Sequence, residues 1–164
     1  MFRIAVTRFN HDTWRENHEY RIKKNLRGCV YGCPCPISGS ILLYATLVVF
    51  EMNNSSNSIE GIGLIENRVH DSYHKIYENV SYNRYTYRGN DRIDRSQMNP
   101  NEEELFTIIE KIVFRGYGHV KRGFGISALP LKKIKDVTIN DLSIEIFIKE
   151  MFERRRMKNN NKLQ

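Results

Sequence analysis

The chain has 164 residues, 26 Lys or Arg against 19 Asp or Glu, a formal charge of +7 and a pI near 9.4. That length predicts one domain with a real core, and 40% hydrophobic with 27% charged residues is a globular composition, not a disordered one. An odd count of three cysteines argues against a secreted disulfide scaffold, and no apolar run reaches the ~20 residues of a membrane span.

Phe2 to Val6 alternates as an opening strand, with no signal-peptide core before it, so an intracellular location and no membrane partner are expected. Thr13 with Glu16 makes a capping box. Trp14, His18, Ile22 and Leu26 then recur every four residues as one face of a helix ending near Gly28. The Gly- and Pro-rich stretch from Gly28 to Ser40 reads as a loop. Thr46–Met52 is a strand, Asn53–Ser58 its Asn/Ser turn, and Ile59–Ile65 the returning strand. Gly61 and Gly63 thin one face of that second strand, which implies close approach by backbone or ligand.

Tyr82 to Arg88 reads as a strand and Gly89–Asp91 as a turn. Asn99 and Pro100 open the clearest helix, whose apolar stripe is Leu105, Ile108, Ile109, Ile112 and Val113. Ile126 to Leu131 is a short strand. Thr138 with Asp141 begins a last helix carrying Leu142, Ile146, Phe147 and Met151. The expected organisation is one α+β domain over 1–153, with a basic, flexible tail over 154–164.

The segment Arg115–Gly125 carries the main functional expectation. Four glycines in eleven residues free the backbone for positive φ and let amides converge on an anion. From Arg115 to Lys135 there are six Lys or Arg and no acid. The segment follows a helix and lacks the Gly-Lys-Ser/Thr ending, so it is not a Walker A loop. Arg115, Gly116, Gly118, His119, Lys121, Arg122 and Gly123 are therefore the candidate phosphate contacts, and nucleic acid the expected partner. Residues 73–87 hold five of the nine tyrosines. Tyrosine and arginine faces stack bases, which makes Trp14, Tyr82, Arg84, Tyr85 and Tyr87 the candidate stacking set, against the alternative that they are core residues.

No cofactor motif is present. Cys29, Cys33 and Cys35, with His18 or His11, are a secondary candidate for a structural metal, but zinc ribbons prefer paired two-residue gaps. His70 and His74 stand four apart without the Glu of a zinc protease helix. Asp91 and Asp94 beside Arg92 and Arg95 read as a solvated rim. An enzyme using His119 as acid/base on a phosphorylated or nucleic-acid substrate is the rival reading, and an interaction or packaging role through an acidic protein partner is a third.

The runs Phe-Glu-Met-Asn-Asn (50–54), Asn-Ser-Ile-Glu-Gly-Ile-Gly-Leu-Ile (57–65), Tyr-Asn-Arg-Tyr-Thr-Tyr-Arg-Gly (82–89) and Gly-His-Val-Lys-Arg-Gly-Phe-Gly-Ile (118–126) resemble an uncharacterised family of large eukaryotic DNA viruses. That similarity covers most of residues 1–135 and implies no activity. The order strand, helix, strand, Asn-rich turn, strand ending Gly-Ile-Gly also looks like the PUA-like superfamily, which includes EVE and YTH domains. This second resemblance implies a curved, barrel-like, mostly antiparallel sheet with about three flanking helices, and binding of RNA or modified bases in an aromatic pocket. With a single tryptophan in the chain, that pocket does not carry over residue by residue.

Overall fold

The structure is a computed structural model that describes residues 1–161. Five strands form a mixed sheet in the order β6 (Asp91–Asp94), β4 (Ser58–Glu66), β3 (Thr46–Asn53), β1 (Arg3–Phe9) and β7 (Ser127–Ala128). β1 and β3 run parallel and every other pair antiparallel. Parallel neighbours need a crossover, here supplied by α1 (His11–Lys23) and β2 (Cys29–Cys33). β2 pairs with β5 (Tyr85–Gly89) as a separate two-stranded ribbon.

The period-two alternation of the strands sorts the core into two layers. Ile4, Val6, Val48, Phe50 and Ile62 face α2 (Pro100–Phe114) and α3 (Ile144–Asn161), meeting Leu105, Phe106, Ile109, Phe147 and Ile148. Ala5, Phe9, Leu47, Val49 and Ile65 face the ribbon, meeting Val30, Tyr31, Tyr77 and Tyr87. Covered on both faces, β3 is buried from Leu47 to Asn53, which explains its nearly unbroken apolar run.

The α+β class, the three helices and the β3–β4 hairpin agree with the sequence reading. α2 begins as expected, with Asn99 capping, Pro100 in the first turn and Glu102 closing a capping box. Closure differs: among the described residues the strands fall into three sheets, none of them a barrel.

Local differences have identifiable causes. The box of α1 is made by Asn10 and Thr13, not Thr13 and Glu16. Its inward residues are Trp14, Asn17 and Arg21, while Ile22 is 66% exposed, because the helix lies over a polar network and not over an oily face. Cys29–Cys33 is a strand and not a loop, held by its pairing with β5. Val80–Asn83 is a 3₁₀ turn, so the tyrosine strand begins at Tyr85. Thr138 does not cap a helix: Asn140 and Asp141, at φ 50° and 64°, turn a short hairpin of β8 (Thr138–Ile139) and β9 (Leu142–Ser143) before α3 starts. The tail expected from Arg154 onward is helical through Asn161; its remaining residues, 162–164, lie outside the described residues. It is held because Arg154 and Arg155 reach the buried Glu102 carboxylate at 3.3 and 2.6 Å and Arg156 reaches Asp91 at 2.7 Å.

Candidate nucleic-acid interface

At the C-terminal end of β1 a cleft of 210 Å³ opens between the tyrosine segment and the glycine segment. Arg8, Asn54, Tyr77, Tyr82, Gly123 and Phe124 are among its walls, and no acidic residue lines it. Ligand pockets for drug-sized molecules run to about 300–1,000 Å³, so this one suits a single planar ring with a polar edge.

Arg8 is the cation of the cleft. On β1 it continues the alternation of Ile4 and Val6, a place where an apolar residue is expected. Its Nε donates to the Val120 carbonyl at 2.7 Å and Nη1 to Ser127 Oγ at 3.1 Å and the Gly125 carbonyl at 3.4 Å. These acceptors are all neutral. Burial alone pushes the guanidinium down from its ordinary value, yet arginine stays charged in proteins, so the cleft floor holds an uncompensated positive charge. Beside it, Asn54 Nδ2 donates to the Lys121 carbonyl at 3.0 Å, while Asn54 Oδ1 is buried without a partner. Arg8, whose Nη2 is left without a protein acceptor among the described residues, and Asn54, whose Oδ1 is enclosed, thus line one small cavity.

The glycine segment supplies the rim. Gly123 and Gly125 lie at φ +139° and +62°. A Cβ on Gly123 would stand 3.0 Å from the Arg8 guanidinium carbon, so the backbone passes directly over that side chain. Among the described residues none of the amides of residues 121–125 donates to a protein acceptor, as an anion-binding backbone requires.

Several sequence-level candidates fall elsewhere. Gly123 lines the cleft with Tyr82, whose ring is edge-on to Tyr77 at 6.2 Å. Lys121 and Arg122 flank that rim, half-buried and exposed. Arg115, Gly116 (φ +74°) and Gly118 lie outside the cleft; the Gly118 carbonyl accepts from Lys133. His119 is half-buried with Nδ1 enclosed and unpartnered, so no orienting carboxylate prepares it for acid/base work. Arg84 and Tyr85 are outside the cleft as well. Tyr87 is core: it is 1% exposed and its hydroxyl accepts from the Ile37 N–H at 3.0 Å. Trp14 is withdrawn from base stacking, because Arg21 and Arg92 both sit 5.4 Å from its ring centroid and Phe9 meets it edge-on.

Behind the cleft lies a buried polar network. Glu51, fully buried, accepts from Tyr31 Oη at 2.8 Å and from Arg92 Nε and Nη2 at 2.8 and 2.7 Å. Arg92 Nη1 continues to Asp94 at 3.0 Å, so these residues are not a solvated rim. Burial works against the Arg92 charge, but the facing Glu51 carboxylate holds the guanidinium above its ordinary value. Gly61 and Gly63 make the room: their Cβ atoms would lie 2.8 Å from Glu51 Oε2 and 2.2 Å from Tyr31 Oη. The approach expected at these glycines is therefore internal.

The three cysteines are free thiols. Burial pushes the Cys29 and Cys33 thiols up to about 12, and among the described residues no three His, Cys, Asp or Glu side chains are grouped to hold a metal ion. A wider groove of 840 Å³ runs past Arg68, His70, Arg88 and Arg156, but Arg68 and Arg156 are paired with Asp71 and Asp91. No described helix is long and apolar enough to cross a membrane. Comparison with protein-family models, curated proteins and solved structures gives no match to this chain.

Proposed function

We propose that the chain is a PUA-like nucleic-acid-binding module, working inside the cell on RNA or on single-stranded or modified DNA. The observation that carries this reading is the acid-free cleft in which the uncompensated Arg8 guanidinium, the orphaned Asn54 carbonyl and the Tyr82 ring meet the Gly123 backbone. A donor next to an acceptor suits the hydrogen-bonding edge of a base, and an aromatic wall suits its face. An unstacked base enters the cleft, while Lys121, Arg122 and the free amides of 121–125 hold the flanking phosphates.

The test is the salt dependence of binding to short RNA and single-stranded DNA. Lys121→Ala with Arg122→Ala is expected to weaken binding on every sequence and to reduce the salt slope by about one to two. Tyr82→Ala is expected to cost about 1–3 kcal/mol of binding with the slope unchanged. Binding that ignores both changes refutes the assignment.

A further inference from the structure

We propose that His70 and His74, with Arg88 and Lys24, form a second site, one that takes a phosphate-type oxyanion when the histidine pair takes up a proton. It lies away from the cleft at β1 and does not rest on the nucleic-acid reading.

Tyr20 Oη is 2.6 Å from His74 Nδ1, and His74 Nε2 is 2.8 Å from His70 Nδ1. The Ser72 N–H donates to His70 Nδ1 at 3.3 Å, which makes that nitrogen an acceptor, and burial raises the Tyr20 phenol against the opposing effect of Arg88, so its hydroxyl is free to donate to His74 Nδ1. His74 then carries its proton on Nε2 and donates to His70 Nδ1. The His70 proton is left on Nε2, which meets no protein acceptor on a ring that lines the wide groove. Both rings are neutral in that state. One added proton fits without breaking a bond: His74, now protonated on both nitrogens, donates to His70 and to Tyr20, whose oxygen turns acceptor. A second proton would set two N–H groups against each other across 2.8 Å. The pair therefore switches by one unit of charge.

The surroundings resist that charge until an anion arrives. Burial lowers His74 most, followed by the neighbouring His70, Arg88 of β5 and Lys24 after α1, and neither of these two cations has a carboxylate within 4.0 Å among the described residues. Of the acids in the groove, Asp71 is taken by Arg68 and Asp91 by Arg156, which leaves the exposed Glu66 of β4 without an ion pair. Two unneutralised cations beside a proton-accepting pair are relieved by an oxyanion, so anion binding and proton uptake strengthen each other by the same factor. Arginine and imidazolium N–H groups also match its oxygens.

Sulfate is the probe, because its charge is constant over this range of pH. The readouts are the imidazole NMR signals of His70 and His74. We expect sulfate to bind at least about tenfold more tightly near pH ~5.5 than near pH ~8, as the pair charges. Arg88→Gln, an exposed change on the outer side of β5, is expected to weaken acid-side binding about tenfold. Replacing both rings, His70→Gln with His74→Gln, is expected to abolish the pH dependence. Equal affinity at the two pH values, or no effect of Arg88→Gln in a protein with an unchanged amide spectrum, overturns the proposal. Displacement of sulfate by a nucleoside monophosphate alone identifies a free phosphorylated ligand, and displacement by an oligonucleotide without terminal phosphate identifies a backbone phosphate. Displacement by neither overturns the phosphate assignment.

Discussion

Replacing Glu51 by Gln tests the network that holds α1, β3 and β6 together. Glu51 is 0% exposed and accepts three hydrogen bonds, two of them from an arginine whose side chain is only 6% exposed. The amide keeps the shape but turns one acceptor oxygen into a donor facing Tyr31 or Arg92, and it leaves the guanidinium with Asp94 as its one carboxylate. Breaking a buried pair from one side costs about 3–5 kcal/mol, mostly because the surviving charge stays buried. For a domain of this size each kcal/mol moves Tm by about 2–4 °C, so a fall of about 10 °C is expected. Urea denaturation followed by fluorescence suits the question, because the single tryptophan, Trp14, lies against Arg92 and reports on the network. Arg92→Met should cost a similar amount, and the double variant clearly less than the sum. Adding Tyr31→Phe should cost stability again, since the buried amide at position 51 then loses its last hydrogen-bond partner. A loss below ~1 kcal/mol for Glu51→Gln, or additive single effects, refutes the reasoning.

Glu102 predicts acid sensitivity. Burial would raise its carboxyl, but hydrogen bonds from Arg155 and the Asn99 amide, with the charge of Arg155, hold it below the ordinary 4.5. A depressed carboxyl contributes stability that is present above that ordinary value and lost as pH falls through the folded one. Glu102→Gln is therefore expected to cost about 2 kcal/mol at neutral pH and to flatten the acid limb of a Tm-versus-pH curve. A parallel, unshifted curve would contradict this. The glycines give a steric contrast. A Cβ on Gly89 would lie 1.7 Å from the Leu64 carbonyl oxygen, so Gly89→Ala should yield no folded domain by circular dichroism. Gly39→Ala, with nothing within 4 Å, should change stability by less than about 0.5 kcal/mol.

What the sequence makes legible is what local chemistry decides. α2 needs only Asn99, Pro100, Glu102 and its own 3.6-residue stripe, and β3–β4 only β-branched runs around an Asn/Ser turn. Gly61 and Gly63 announce a close approach, though not that Glu51 and Tyr31 are what approaches. The face of α1 is set from outside the helix. Asn17 donates to the Val30 carbonyl at 2.7 Å and to Tyr77 Oη at 3.1 Å, so a polar residue points inward and Ile22 outward. Cys29–Cys33 becomes a strand through a partner more than 50 residues away. His70 and His74 meet in an irregular segment, where the spacing of four owes nothing to a helix. Arg8 had a signal: a charged residue on the core-facing register of an opening strand, where burial demands a partner.

Arg92 and Arg8 are treated in opposite ways in this fold, and the contrast bears on function. Arg92 is matched: a fully enclosed carboxylate takes two of its nitrogens, Asp94 takes the third, and glycines at 61 and 63 leave space for the cluster. Such an arrangement spends its charge internally and fixes how α1, β3 and β6 meet. Arg8 is half-buried, yet it receives carbonyls and a hydroxyl only. Neutral acceptors orient a guanidinium without cancelling its field, so its potential projects into the cleft. Stability alone would favour a carboxylate there, and Asn54 and Thr7 are positions on the cleft wall from which one could act. Asn54→Asp puts this to the test. If the free charge of Arg8 serves an anionic or acceptor-bearing ligand, a new carboxylate on the wall should leave the fold intact and weaken nucleic-acid binding by about tenfold or more. Unchanged or tighter binding by Asn54→Asp would mean that the open charge of Arg8 has no role in recognition.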